Sequence, residues 1–316
     1  MAADRILVAG EALIDIVVRP DGTTASHPGG SPANVALTLG RLGHRPTLLT
    51  SIGADAHGTA IRRWLDESHV RLANVPPATG RTSTARAELD ANGSASYDFD
   101  LHWDLSLEQA GTALEGGDAP AFVHIGSIAT VLEPGADAIA DLYRRSRPTA
   151  LLSFDPNARP AITTDRDRVL PRVEELVGLS DIVKVSDEDL SWYYPERDAL
   201  ASARQWAERC PGVLVLTRGS AGSTAFLNGE EIEVALARAE VADTIGAGDS
   251  YMGALIDAVG RVARDRSGLE AMTSDQWREA MEFAAEVAAV TVSRAGANPP
   301  WRKELAGDRK PEVDRG

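Results

Sequence analysis

The run Asp243-Thr244-Ile245-Gly246-Ala247-Gly248-Asp249 sets two carboxylates on either side of three small residues, and an apolar, helix-compatible segment follows at once. Small residues at a helix start let backbone N–H groups approach an anion closely. A carboxylate beside that anion suits transfer of a phosphoryl group onto a hydroxyl: the N–H groups stabilise charge on the moving phosphate and the carboxylate accepts the hydroxyl proton. The same residues also make an ordinary Asp-Thr cap before a Gly-x-Gly turn. On this stretch alone both readings stand. A second segment, Gly29-Gly30-Ser31-Pro32-Ala33-Asn34, opens another helical run. Its glycines permit close approach, and Asn34 offers a donor and an acceptor to a sugar hydroxyl. A serine cap with proline at the first helical position needs no ligand, however. Asp15 is a polar residue in an apolar run, placed either as a solvated edge residue or as a ligand for a sugar diol.

These residues need a scaffold, and the hydrophobic pattern supplies one. Arg5–Ala9 and Ala12–Val18 read as strands, Ser31–Leu42 as a helix ending at Gly43, Pro46–Ile52 as a strand and Gly58–Ser68 as a helix. Thr82–Leu89 and Ala95–Leu101 read as strands joined by a turn at Asn92-Gly93. Alternation then becomes regular through Ala121–Ile125, Gly135–Arg145, Ala150–Phe154, Arg166–Val177, Ile182–Val185, Leu200–Arg209 and Val213–Thr217. A strand pair about Asn228-Gly229 follows, and helices Ser250–Arg264 and Ser274–Ser293 close the pattern. Strands alternating with helices predict a mainly parallel sheet covered on both faces. Residues 12–30 and 81–105 fit that scheme poorly and read as a small β lid over a core of residues 1–11, 31–80 and 106–302. The charged segment 303–316 reads as a flexible tail.

The formal net charge of −15 argues against a nucleic-acid backbone or an anionic membrane as partner, though not against a small anion held locally. One cysteine, Cys210, and six scattered histidines show no zinc spacing, and Cys210 reads as a structural thiol. No signal peptide or apolar stretch of membrane-spanning length is evident, so a cytoplasmic protein is expected. A Walker A loop, a dinucleotide fingerprint after the first strand and protein-kinase signatures are all missing. A nucleotide would have to be held by another device.

Taken together, Gly29–Asn34 and Asp243–Asp249, in that order, resemble the two signatures of the ribokinase (PfkB-type) family of carbohydrate kinases, and the resemblance runs from about Ile6 to Trp301. The segments Gly10–Asp15, Gly126-Ser127, Asp155–Pro160, Lys184–Glu188 and Gly296–Pro300 are similar to its fructokinase-like branch. The resemblance implies a ribokinase-like three-layer α/β/α sandwich with a mainly parallel central sheet and a β-sheet lid. It implies transfer of the γ-phosphoryl group of ATP, with Mg2+, to a primary hydroxyl of a monosaccharide, fructose first among them. Asp249 would be the general base and the backbone of Gly246, Ala247 and Gly248 the anion hole. Asp15, Gly30, Asn34 and Arg159 would face the sugar, with Trp103 reaching it from the lid.

ATP would lie near Lys184, Ser186, Asp189, Thr217, Gly219, Gly222, Gly248 and Ala285. Mg2+ would be held through water near Asp189 or Glu188, and a K+ ion near Asp243, Ile245 and Gly296. Several positions depart from the family pattern. Asp189 stands for a glutamate, Ser186 for an asparagine, and Ala285 where relatives often carry an asparagine near the adenine. Ser31 and Pro32 replace the Lys-Gly of ribokinase, which argues against ribose. A kinase of the same fold acting on 2-keto-3-deoxygluconate, a pentose or a nucleoside is the alternative, as is a sugar-binding protein without catalysis. The edges of the lid suggest a homodimer.

Overall fold

The computed structural model describes residues 5–90, 95–115, 119–237 and 239–305. The chain opens with β1 (Ile6–Ala9), β2 (Leu13–Val18) and β3 (Thr24–Gly29), then α1 (Ser31–Arg41), β4 (Thr47–Thr50), α2 (Ala56–Glu67) and β5 (Arg71–Asn74). Next come β6 (Thr84–Leu89), β7 (Ala95–Asp100) and α3 (Leu107–Glu115). Regular alternation follows: β8 (Phe122–Gly126), α4 (Gly135–Ser146), β9 (Leu151–Asp155), α5 (Arg166–Leu179), β10 (Ile182–Ser186), α6 (Asp187–Tyr193), α7 (Ala199–Ala207) and β11 (Val213–Thr217). The hairpin β12 (Ser223–Leu227) and β13 (Glu230–Val234) turns at Asn228 and Gly229, both at positive φ, as that dipeptide predicts. Three helices end the fold: α8 (Ala247–Val262), α9 (Arg266–Glu270) and α10 (Ser274–Val292).

A nine-stranded sheet runs β13-β12-β11-β10-β9-β8-β1-β4-β5, parallel throughout except at the β12 pairings. Its central strands are near-continuous apolar runs because both faces are covered. One face packs on α1, α2, α8 and α10 through residues such as Val35, Leu39, Leu255, Trp277 and Met281; the other packs on α4, α5 and α7 through Leu142, Tyr143, Leu176 and Trp206. The result is the three-layer sandwich. Strand order reverses about β1, which lies between β8 and β4. Open α/β sheets bind ligands outside the carboxyl ends of their strands at such a point. A separate four-stranded sheet, β3-β2-β6-β7, stands over those ends, with β2 and β6 parallel and the other pairs antiparallel.

Several elements differ from the sequence reading. β3 was not expected, because its sequence Thr-Ala-Ser-His-Pro-Gly is mostly exposed and carries no apolar alternation. The short elements β5, α3, α6 and α9 were likewise unmarked by periodicity. The Asn92-Gly93 turn lies outside the described residues. α8 begins at Ala247 rather than Ser250, since Gly246 takes the left-handed conformation and lets the helix start earlier. Gly248 and Asp249 therefore belong to its first turn. The beginning of the tail is a correction: Lys303 and Glu304 lie in a short helical turn, Leu305 is buried, and Glu304 accepts from Trp301 N and pairs with Arg294.

That last segment is tied to the core through Asp257 of α8. The carboxylate is buried and receives Arg302 Nη2 at 2.6 Å and His44 Nε2 at 2.7 Å, while Arg302 Nε donates to Leu42 O. Burial works against the charged form of Asp257, but these hydrogen bonds hold its pKa below the usual carboxylate value. Asp257→Ala would leave three basic groups, His44, Arg261 and Arg302, without their anion. It is expected to destabilise the protein by about 3 kcal/mol, at the low end for breaking a buried pair because all three partners keep some water. Urea unfolding monitored by tryptophan fluorescence measures this.

Candidate active site

Two helix starts build the site. Gly246, the N-cap of α8, sits at φ 76°, and a Cβ there would lie 2.6 Å from Ala297 Cβ, so only glycine fits. Asp243 fixes the approach: its carboxylate accepts from Ile245 N at 3.0 Å and from Gly296 N at 2.9 Å. Gly30, the N-cap of α1, sits at φ 105°, and a Cβ there would lie 2.5 Å from Glu11 O. The two helices pack where Gly253 lies against Thr38. Their N-termini thereby converge. Asp249 is 6% exposed; its Oδ1 accepts from Ser31 Oγ at 2.7 Å and its Oδ2 from Asn34 Nδ2 at 2.8 Å. Asn157 Nδ2 adds a longer contact to Oδ1 at 3.3 Å. A carboxylate fixed in the first turn of a helix, next to N–H groups that the helix leaves without internal partners, is placed beside an anion site.

A cavity of about 1130 Å³ opens in front of Asp249, between the small sheet and the strand ends. At one end lie Glu11, Asp15, Gly30, Asn34, Asn157 and Arg159. Glu11 is buried, and burial pushes its pKa up to about 7 despite hydrogen bonds from Ser127 and from Ala129 N. Asp15 faces the open cavity, yet the surrounding protein pushes its pKa up to about 6, opposed by Arg159 and His27 and assisted by Asp249. Arg159 is partly held back by its own loop, with Nη1 on Asn157 Oδ1 at 2.6 Å. Tyr97 and Phe99 of β7, stacked with centroids 6.0 Å apart, line the cavity from the small sheet.

At the other end lie Lys184, Ser186, Thr217, Gly219, Gly222, Gly248 and Ala285, all seven of which line the cavity. Ala285 continues into Ala288, Ala289 and Val292, an apolar strip along α10 that faces the exposed Leu236 and Val241 across the opening. Gly222 sits at φ 82°, with Val234 O 2.2 Å from where a Cβ would be. Asp189 is engaged: it closes a capping box with Ser186 and accepts from Ala158 N at 2.7 Å. Glu188 lines the same wall with its carboxylate exposed. No cluster of three or more metal-ligating side chains occurs among the described residues. A divalent ion here would therefore depend on phosphate oxygens and water as well as protein.

Trp103 requires correction. It does not line the cavity; it is 3% exposed, packs against Gly135 and donates its indole N–H to Ala129 O at 3.0 Å. It lies beyond β7, where the chain has already descended into the core. The lid aromatics at the cavity are Tyr97 and Phe99. Sequence reasoning also left Glu11 and Asn157 without roles, although the segments Gly10–Asp15 and Asp155–Pro160 had singled them out. The remaining candidates, Asp15, Gly30, Asn34 and Arg159 on one side and Gly246, Ala247, Gly248 and Asp249 at the centre, do meet in one cavity. Ile245 also lines the cavity, and the Asp243 carboxylate joins it to Gly296.

Comparison with known proteins agrees with this geometry. The model of the pfkB family carbohydrate kinases matches residues 3–304. A fructokinase of Rhizobium leguminosarum bv. trifolii is 33% identical over 258 residues, covering 78% of this chain and 77% of the relative. A fructokinase of Klebsiella pneumoniae is 31% identical over 264 residues, 80% of this chain and 83% of the relative. Among solved structures, a fructokinase from Xylella fastidiosa with bound ATP superposes with a TM-score of 0.83 at 26% identity, covering 93% of each chain.

Glu11 gives the site a measurable signature. Its folded pKa of about 7 lies above its ordinary value of 4.5. Its contribution to stability is thus full below pH 4.5 and is lost as pH rises through 7, on the order of 3 kcal/mol in total. In Glu11→Gln this contribution to the pH slope should disappear. Chemical denaturation of both proteins between pH 4.5 and pH 8 tests the sign.

Proposed function

The chain belongs to the pfkB family of carbohydrate kinases, and on that premise we propose that it transfers the γ-phosphoryl group of ATP to a primary hydroxyl of fructose, with Asp249 as general base. The observation that carries the reading is the Asp249 carboxylate, held by Ser31 and Asn34 in the first turn of α8 and open to the cavity. Fructose as acceptor is supported by the fructokinases among its relatives.

The residues divide the work. Asn34 spends its NH2 on Asp249, and its buried Oδ1 has no protein partner, so a sugar O–H can donate to it. Asp15, when ionised, accepts from a further hydroxyl, and Gly30 lets the ring approach the backbone. Tyr97 and Phe99 offer an apolar face to the sugar ring. Asp249 takes the proton of the attacking hydroxyl. The sugar oxygen bonds to the γ-phosphorus, the bond to the bridging oxygen breaks, and its electron pair leaves on ADP. The N–H groups at the start of α8 face the oxygens in flight. Closure of the small sheet over the cavity excludes water, the competing acceptor.

Mg2+ fits the Glu188 side of the cavity, where that carboxylate can hold its water shell and the ion can neutralise phosphate charge; Asp189 serves by fixing the start of α6. Backbone oxygens of the loops that Asp243 joins, near Ile245 and Gly296, suit a monovalent cation such as K+. The outer strands of the small sheet, β3 and β7, support pairing of two copies. Among the described residues no helix is long and apolar enough to cross a membrane, which accords with a cytoplasmic enzyme.

Asp249→Asn keeps the size of the side chain and one of its two acceptor oxygens, which can still receive Asn34 while Ser31 accepts from the new NH2, but it cannot take the proton. It should lower kcat by about 1,000-fold while fructose binding stays near wild type. A coupled ADP-release assay and calorimetry give the two readouts; near-normal turnover in this variant would remove Asp249 as base. The same assay on the wild type with fructose, ribose, 2-keto-3-deoxygluconate and adenosine tests the acceptor, and a preference for any other member would replace fructose.

A further inference from the structure

Lys184 of β10 and Asp155, the last residue of β9, form an ion pair directly behind the first turn of α8. Lys184 is 3% exposed and Asp155 0%, and Nζ lies 2.8 Å from Oδ2. Such a pair is weak evidence for stability, because removing two ions from water costs as much as their attraction returns. Its position is unfavourable in a second respect. The Lys184 ammonium lies 2.9 Å from where a Gly248 Cβ would be, so it abuts the positive pole of α8.

Asp155 Oδ1 has no partner, so the pair is not arranged to satisfy both of its members. Burial alone would discharge the lysine, but Asp155, Asp189 and Asp249 outweigh it and hold its pKa above the usual value. Lys184 also reaches the cavity wall, where the other cation among the described residues, Arg159, is turned toward its own loop. An ammonium and a helix N-terminus converging on one point of a cavity are both relieved by a ligand carrying several negative charges.

We infer that Lys184 is a catalytic residue that donates a hydrogen bond to the γ-phosphoryl group as it passes Gly246–Gly248, and that Asp155 is a positioning residue acting through Lys184. The inference rests on the kinase reading. The step stays balanced without it: the sugar proton goes to Asp249, the P–O bond to the bridging oxygen breaks as the new P–O bond forms, and Lys184 keeps its protons. Its share is to stabilise charge on the equatorial oxygens in flight.

The test uses Asp155→Asn, Lys184→Met, Lys184→Arg and the double variant Asp155→Asn/Lys184→Met. The double variant removes both members of the ion pair together and leaves Asp189 and Asp249 in the hydrogen bonds they already accept, so it is expected to fold with a melting temperature near wild type. Its kcat with fructose and MgATP should fall about 100-fold or more, as for loss of one donor to a developing oxyanion, with both KM values little changed. Inhibition by MgADP with fluoroaluminate, a mimic of the phosphoryl group in flight, should weaken by a similar factor. Lys184→Arg should recover part of kcat. Asp155→Asn alone should lower kcat, and adding it to Lys184→Met should change nothing further. A well-folded double variant with wild-type kcat would overturn the inference, as would a loss confined to KM for ATP. Multiplying losses in the double variant would overturn the positioning role of Asp155. A wild type inactive on every sugar tried would instead sink the kinase reading beneath it.

Discussion

The hydrogen bonds from Ser31 and Asn34 to Asp249 join residues more than two hundred positions apart in the chain, and the rest of the architecture follows from keeping them made. They tie the start of α1 to the start of α8. Both helices must therefore begin at the same edge of the sheet and pack closely along their length. Gly253 against Thr38 permits that packing, since a Cβ at Gly253 would fall 2.8 Å from Thr38 Cβ. The entry to each helix is also forced. Gly30 and Gly246 take backbone conformations that side chains rarely adopt, and each has protein atoms where its Cβ would be. The glycines of the two motifs are thus answers to one steric problem, the bringing of two helix N-termini to one carboxylate.

This explains what could be read from the sequence. Strands such as Leu151–Asp155 and Val213–Thr217 are apolar on both faces and are marked by composition alone, so the sandwich was legible. The two glycine motifs were legible because their constraint is local: the special backbone conformation and the small residue occur at the same position. What failed depended on where a segment sits after several turns of chain. Trp103 and Tyr97 are both aromatic residues near the lid hairpin, and nothing local separates them. The pairing of β6 with β7 presents Tyr97 and Phe99 to the cavity, while Trp103 falls past the strand end into the core. Asp189 was hard to read for a related reason. A carboxylate three residues after a serine is as good a capping partner as a metal ligand, and here the cap is made.

The two ends of the cavity solve opposite electrostatic problems. The nucleotide end must accept several negative charges in a protein of net charge −15. On the proposed reading it would do so with the N-terminus of α8, with Lys184 and with a cation beside Glu188, which all line the same cavity. The other end is acidic. Burial pushes the pKa of Glu11 up to about 7, and desolvation by the surrounding protein, with a smaller push from Asp249, raises that of Asp15 to about 6. A neutral polyol is well matched to such a place, since its hydroxyls can donate to carboxylates and accept from protonated ones.

The same feature restricts the acceptor. A sugar already bearing a phosphate would bring two further negative charges beside Asp15 and Asp249, with Arg159 as the cation lining that end. Arg159 already donates to Asn157, and that residue in turn contacts Asp249, so recruiting it to a phosphate would disturb the hold on the base. Repulsion between like charges in a partly desolvated cavity is strong, and Asp15 already lies against the backbone that leads into α1, its Oδ2 2.2 Å from where a Gly29 Cβ would be. On the proposed reading, the acidic end and Arg159, the one arginine lining the cavity among the described residues and already engaged, would favour an uncharged sugar by disfavouring a charged one, whichever hydroxyls then decide among neutral acceptors.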